Sequence, residues 1–298
     1  MNTKPHKDFR QEITDDVIKM IEAGTAPWIK PWSTGEIAAA FNLTTSEPYR
    51  GGNIIALMVA SLRKGYTDPR WCTYRQAATK GWQVRKGGKS SRIEFFKEDV
   101  TEDEKTGKKK KQLVARHYPV FNAQQIDGIP TLELPKKEEW EAVKAGERIM
   151  KKSGAVIKYG GDRAYYHKAL DYIQLPKREY FFNAAMFYST ACHELGHWTG
   201  HSSRLNRDTL MCSTGFSPKD ECYAREELVA ELTSLFLSAE TGLPFDPSQH
   251  AAYIKSWLKT LKKDKNEIFR AASAASKATD CLLQVKKQKT NAVLTAVA

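Results

Sequence analysis

The chain has 298 residues, 41% of them hydrophobic, enough for two domains of ordinary size with substantial cores. No apolar run reaches membrane-spanning length and the polar N-terminus has no signal-peptide core, so a cytoplasmic protein without a membrane partner is expected. The net charge of +12 asks for an acidic partner, while five scattered cysteines without a C-x-x-C pair suggest neither a disulfide framework nor a cysteine metal site.

Taken along the chain, residues 9–23 read as an amphipathic helix (Phe9, Ile13, Val17, Met20, Ile21) ending near Gly24, and Pro27 to Trp32 cannot continue it. Helices follow at 53–63 and 73–80. Ile93 to Phe96 and Leu113 to Phe121 read as paired strands, with the acidic-then-basic stretch 98–111 as the hairpin tip between them. Residues 1–130 carry +7 of the charge and four of the seven tryptophans. Cations among aromatic rings suit single-stranded nucleic acid, because cations neutralise phosphates and rings stack on bases. Core tryptophans and solvated lysines give the same composition, so this half reads either way. The composition shifts between Ile129 and Lys136, which divides the chain into 1–132 and 133–298.

The second part opens with a helix at 137–152 and short strands at 155–159, 163–167 and 171–175. Next comes an apolar helix that carries His193-Glu194-Leu195-Gly196-His197, an H-E-x-x-H pattern. Histidines at i and i+4 lie on one face about 6 Å apart along the axis, so both can reach one Zn2+ ion, with another divalent ion such as Mn2+ as the alternative. Glu194 then stands beside the open coordination position as the catalytic base. A third ligand is needed. Ser217 to Asp220 resembles a helix start, with Ser217 as cap, and the helix over 221–240 stops at Gly242. Glu227 and Glu231 lie one turn apart on it. Glu227-x-x-x-Glu231 resembles the second zinc helix of glutamate zincins, which implies Glu227 as the ligand and Glu231 as the acid that orients a histidine, with the reverse assignment open; Glu226 reads as solvated. His201 is a rival ligand, but Gly200 is placed to end the helix before it. Helices at 248–263 and 266–285 complete the chain.

At this point the sequence resembles a known family. Gly24 to Trp32, Tyr49-Arg50-Gly51-Gly52-Asn53, Gly81 to Lys89 and Val120 to Gly128 look like the N-terminal single-stranded-DNA-binding domain of ArdC-type antirestriction proteins. Ala164 to Tyr166, Asp171 to Pro176 and His193 to Arg207 look like the zincin domain that follows it. The resemblance implies an α+β fold with a zincin-like metalloprotease domain. It also implies a plasmid protein that enters a recipient cell in conjugation and protects the incoming DNA from host restriction. On this reading the DNA surface comprises Trp28, Lys30, Trp32, Tyr49, Arg50, Asn53, Arg70, Trp71, Arg85, Lys86 and Lys89. Single-stranded DNA is the expected partner and double-stranded DNA an open one. Three activities compete: a DNA-tethered protease acting on a host restriction-related protein, a DNA-binding shield whose metal is structural or dispensable, and a nuclease. The last is disfavoured because no two-metal carboxylate cluster is visible in the sequence.

Overall fold

A computed structural model describes residues 8–24, 26–27, 39–102, 109–132, 139–213, 220–246 and 254–284. The described residues form two compact groups. The smaller is drawn from residues 40–49 and 56–132, the larger from 1–39, 50–55 and 133–290. The sequence division at 132/133 keeps residues 1–132 together, whereas the contacts place the first helix and residues 50–55 with the larger group.

In the smaller unit, strands β1 (Phe41–Asn42), β2 (Arg70–Cys72), β4 (Ser91–Glu102) and β5 (Lys109–Asn122) form a sheet of order β1-β2-β5-β4. β1 runs parallel to β2, and the other pairs are antiparallel. The β4–β5 ribbon extends well past the expected strands. Its register continues from Glu98↔Leu113 to Glu102↔Lys109, so much of the stretch read as a hairpin tip is strand. The strand pair β3 (Gln83–Val84) and β6 (Ile126–Asp127) packs with α3 (Tyr74–Thr79), and Cys72, Ala77, Val84 and Ile126 are buried together. α3 starts with a capping box between Thr73 and Gln76, which satisfies two otherwise orphan amides. The division between the two groups falls within α2 (Gly52–Lys64).

The larger unit holds α1 (Phe9–Glu22), α4 (Glu139–Ser153), β7 (Val156–Tyr159), β8 (Tyr165–His167), β9 (Tyr172–Leu175), α5 (Ala184–Thr199), α6 (Asp208–Cys212), α7 (Glu221–Thr241), α8 (Ile254–Lys263) and α9 (Glu267–Leu283). α1 is seated by Phe9 against Phe269 at 5.8 Å and by Thr14 Oγ1 donating to the Lys265 carbonyl at 2.7 Å. Gly52 is required here, since a Cβ would lie 2.1 Å from Phe269 Cδ1. The sheet order is β7-β9-β8, with β7–β9 parallel, β8–β9 antiparallel and β8 at an edge. α5 and α7 are buried on almost every side, as helices without a polar face must be. α7 is capped by Asp220, not Ser217, and ends at Gly242 in the left-handed conformation; Ser217 lies outside the described residues.

One expectation fails outright: Cys212 at the end of α6 and Cys222 in the first turn of α7 form a disulfide. The packing of α6 on α7 brings two thiols together that the ten-residue spacing alone does not pair. Cys72 and Cys192 are free and buried as expected. Among the described residues no helix is long and apolar enough to cross a membrane.

Candidate metal centre

α5 begins at Asn183, whose side chain accepts from the Met186 amide, and ends at Thr199 with Gly200 as cap. This puts His193 and His197 on successive turns, buried, with ring centroids 4.8 Å apart. Their Nε2 atoms approach to 3.2 Å. α7 brings Glu227 against both, with Oε2 3.3 Å from His193 Nε2 and Oε1 3.4 Å from His197 Nε2. Ligands on a tetrahedral ion with bonds near 2.0–2.1 Å stand about 3.3 Å apart. The two imidazole nitrogens and the Glu227 carboxylate, which turns one oxygen to each ring, therefore stand close enough to share a divalent cation, and they are the group among the described residues suited to hold one. Two imidazole lone pairs aimed at one point repel unless a proton or a cation lies between them, which fits the same conclusion.

The outer nitrogens of both rings face acids on α7. Glu231, fully buried, places Oε2 3.7 Å from His193 Nδ1. Glu226 places Oε1 3.2 Å from His197 Nδ1. Glu226 is 1% exposed, which corrects its reading as a solvated residue. It is held by Arg207, whose Nε donates to Oε2 at 2.8 Å and Nη2 to Oε1 at 2.5 Å, and by the Thr209 hydroxyl, which donates to Oε2 at 2.5 Å. The sequence reading gave no role to Arg207, which closes the zincin-like stretch His193 to Arg207, nor to Thr209.

Burial opposes charge on each histidine, yet Glu227 and Glu231 raise His193 to about 10, and Glu227 and Glu226 raise His197 to about 9. Burial likewise opposes the carboxylates, but the histidines hold Glu227 far below the usual range and Arg207 brings Glu226 down to about 2. For Glu194 and Glu231 burial prevails and their pKa values rise, although His193, His197 and the Tyr166 backbone N–H favour the charged form of Glu194. Glu194 is thus a buried carboxyl between the ligand helix and edge strand β8, shifted toward the range where it can take and return a proton.

His201 stands in the turn after Gly200, its Nδ1 2.8 Å from Ser203 Oγ, and is not among the converging donors. That turn is fastened to the sheet. Arg204 lies 3.8 Å over the Trp198 ring and pairs with Asp171, which accepts from the Tyr166 hydroxyl at 2.8 Å.

The residues expected to face DNA are scattered by the fold. Trp71 is completely buried in the central strand β2, so neither face of its indole is open to a base. Arg70 is buried and satisfied by Asp68, at 3.0 and 2.8 Å, and by the Pro130 carbonyl. Tyr49 is buried with its hydroxyl donating to the Trp71 carbonyl, and Asn53 is 8% exposed. Arg50 pairs with Glu240 and with Asp280 at 3.3 Å, and the Gly51 amide donates to Ser276 Oγ. Of these five, Trp71, Arg70, Tyr49 and Asn53 are buried, while Arg50 is partly exposed and paired with acids. Arg85, Lys86 and Lys89 are exposed, with Arg85 beside Asp127 at 2.6 Å. Trp28, Lys30 and Trp32 lie outside the described residues.

Comparison with known proteins agrees with this architecture. Residues 7–125 match the N-terminal domain of anti-restriction factor ArdC, and residues 144–274 match a zincin-like metallopeptidase family. A crystal structure of the antirestriction protein ArdC from plasmid R388, metal-free, superposes with a TM-score of 0.78 at 42% identity, covering 93% of this chain and 97% of that one. The Mn(II)-bound structure gives 0.75 at 40%, covering 94% and 100%. Among curated proteins, a DNA primase TraC of Escherichia coli is 44% identical over 95% of this chain, and a second is 42% identical over 97%. The chain spans only 28% and 21% of those two proteins. The protein y4eC of Sinorhizobium fredii is 36% identical over 92% of this chain and 91% of its own length. With a zincin-like unit, a His-His-Glu set suited to a divalent metal, and this likeness along nearly all of its length, the chain belongs to the ArdC antirestriction family.

Proposed function

We propose that the protein binds single-stranded DNA through its smaller unit and uses a zinc-dependent peptidase centre to protect incoming plasmid DNA from host restriction during conjugation. The observation that carries the chemistry is the triangle of His193, His197 and Glu227 with buried Glu194 beside it. A divalent metal held there supplies Lewis-acid chemistry, acidifying a water and polarising a peptide carbonyl. Glu194 takes the water's proton on its carboxylate and returns it to the leaving amine, a task its raised pKa suits. An extended peptide pairs along edge strand β8, whose Tyr166 amide already faces Glu194. A host protein associated with restriction is the substrate this reading requires.

For the DNA surface, Arg70 and Trp71 are buried, whereas the exposed cations Arg85, Lys86 and Lys89 support this reading. Lys64 joins them: its Nζ donates to the Lys89 and Ser90 carbonyls, and burial together with Arg63 and Lys89 lowers its pKa. Cations gathered this closely favour a phosphate. An antirestriction protein and two DNA primases among the similar proteins support a DNA-handling role.

The test is Glu194→Ala, assayed for metal content, single-strand affinity and protection of unmodified DNA. Metal and DNA binding are expected to persist while protection falls. Full protection by this variant would turn the reading to a DNA-binding shield.

A further inference from the structure

We infer that Arg207 and Glu226 form a positioning relay that fixes the orientation of His197 and so sets how tightly the centre holds its metal; this deepens the metal reading proposed above and rests on it. A neutral imidazole has one N–H, and Nε2 can meet a metal only when Nδ1 carries that proton. Glu226 Oε1, 3.2 Å from His197 Nδ1, can only accept, so it selects this tautomer and aims the ring.

Glu226 is itself fixed. Its Oε1 receives Arg207 Nη2 and its Oε2 receives Arg207 Nε and the Thr209 hydroxyl. The remaining reach of Arg207 is spent on α5, where Nη1 donates to Thr199 Oγ1 at 3.0 Å and Nη2 to the Gly196 carbonyl at 2.8 Å. One buried guanidinium thereby ties the last turns of α5 to the acid on α7. Gly200 makes room for it, since a Cβ there would lie 2.6 Å from Arg207 Nη2.

A buried ion pair is poor evidence of stability, because apolar side chains of similar volume often serve packing as well. What an apolar pair cannot do is accept the Nδ1 proton. The relay and mere packing therefore predict opposite results for Arg207→Met combined with Glu226→Leu. In the full chain, affinities for Zn2+ and Mn2+ are read by competition with a chromogenic chelator, and zinc-loaded protein is checked for a slowly exchanging His197 Nδ1 proton by NMR. The folded double variant should bind both ions roughly 10–100-fold more weakly and lose that protected proton signal. Unchanged affinity in a folded double variant overturns the relay.

Should the double variant not fold, Arg207→Lys decides. Lysine keeps the charge but cannot span both Glu226 oxygens, Thr199 and Gly196 at once. Weakened binding supports the relay, and parent-like affinity overturns it. A parent chain that binds neither ion would instead overturn the metal reading itself, so the two failures are distinguishable.

Discussion

Gly196, an unspecified position of the H-E-x-x-H pattern, offers a prediction whose sign the fold reverses. By helix propensity alone, Gly196→Ala in the middle of α5 should stabilise by about 1 kcal/mol. In the structure an added Cβ would meet Ala230 Cα at 3.0 Å, Thr233 Cβ at 3.2 Å and the Ala230 carbonyl oxygen at 3.3 Å. Ordinary carbon–carbon contact is about 3.5–4.0 Å, so α5 and α7 must part by roughly 0.5–1 Å. The obstructing atoms include backbone and cannot rotate aside. Overpacking of this kind costs about 1–3 kcal/mol, which offsets or exceeds the propensity gain. The donor triangle straddles the same helix pair, so the 3.3 and 3.4 Å distances from Glu227 to the histidines widen too. Metal affinity should therefore fall by roughly tenfold or more, the lower end of what loosening a ligand's support costs. Thermal melts without metal and chelator competition with Zn2+ read the two effects separately. A variant that melts higher than the parent and binds zinc as tightly would refute the reasoning.

Two further outcomes follow from the charges and the cross-link. With His193 raised to about 10 and His197 to about 9 by the acids that face them, zinc must displace protons from this pair, so zinc binding near pH 7 should release protons and tighten as pH rises towards 9. Because these pKa values are raised on folding, the stability they confer is complete below the ordinary histidine value near 6.5 and is lost as pH climbs through 9–10. Calorimetry in buffers of different ionisation enthalpy measures the protons, and zero release would contradict the arrangement. For the disulfide, closing a loop between residues 212 and 222 constrains the unfolded chain by about 2.5–3 kcal/mol. Cys212→Ser or added dithiol should lower the unfolding midpoint by about 5–10 °C; an unmoved midpoint in urea or heat would show that the bond contributes nothing.

What the sequence made legible is what helix period can carry. His193 and His197 share a face, Glu227 and Glu231 share another, and Gly242 marks the end of α7. Period says nothing about a helix enclosed on all sides. Glu226 read as solvated because an amphipathic helix needs a polar face, and α7 has none to give. Arg207 reaches Glu226 only through the turn between α5 and α6, so no local spacing announces it. Asp68, two residues before Arg70, was the available sign that this arginine was already spoken for. Trp71 shows the limit of composition, since a tryptophan in a strand flanked on both sides has the same letter as one that stacks on a base.

The same burial explains why four acids tolerate one another around this centre. Glu194, Glu226, Glu227 and Glu231 are all buried, and Arg207 is the one buried arginine that contacts them among the described residues. When both histidines are protonated, the two imidazolium charges and Arg207 oppose these carboxylates. A divalent ion bound to neutral histidines supplies the same two positive charges. Exchange of two protons for the ion thus leaves the buried charge unchanged. The state to be avoided is the one with neutral histidines and no cation, where the acids stand nearly unopposed. That is why destabilisation above pH 9 should appear in the metal-free protein and be suppressed by saturating zinc.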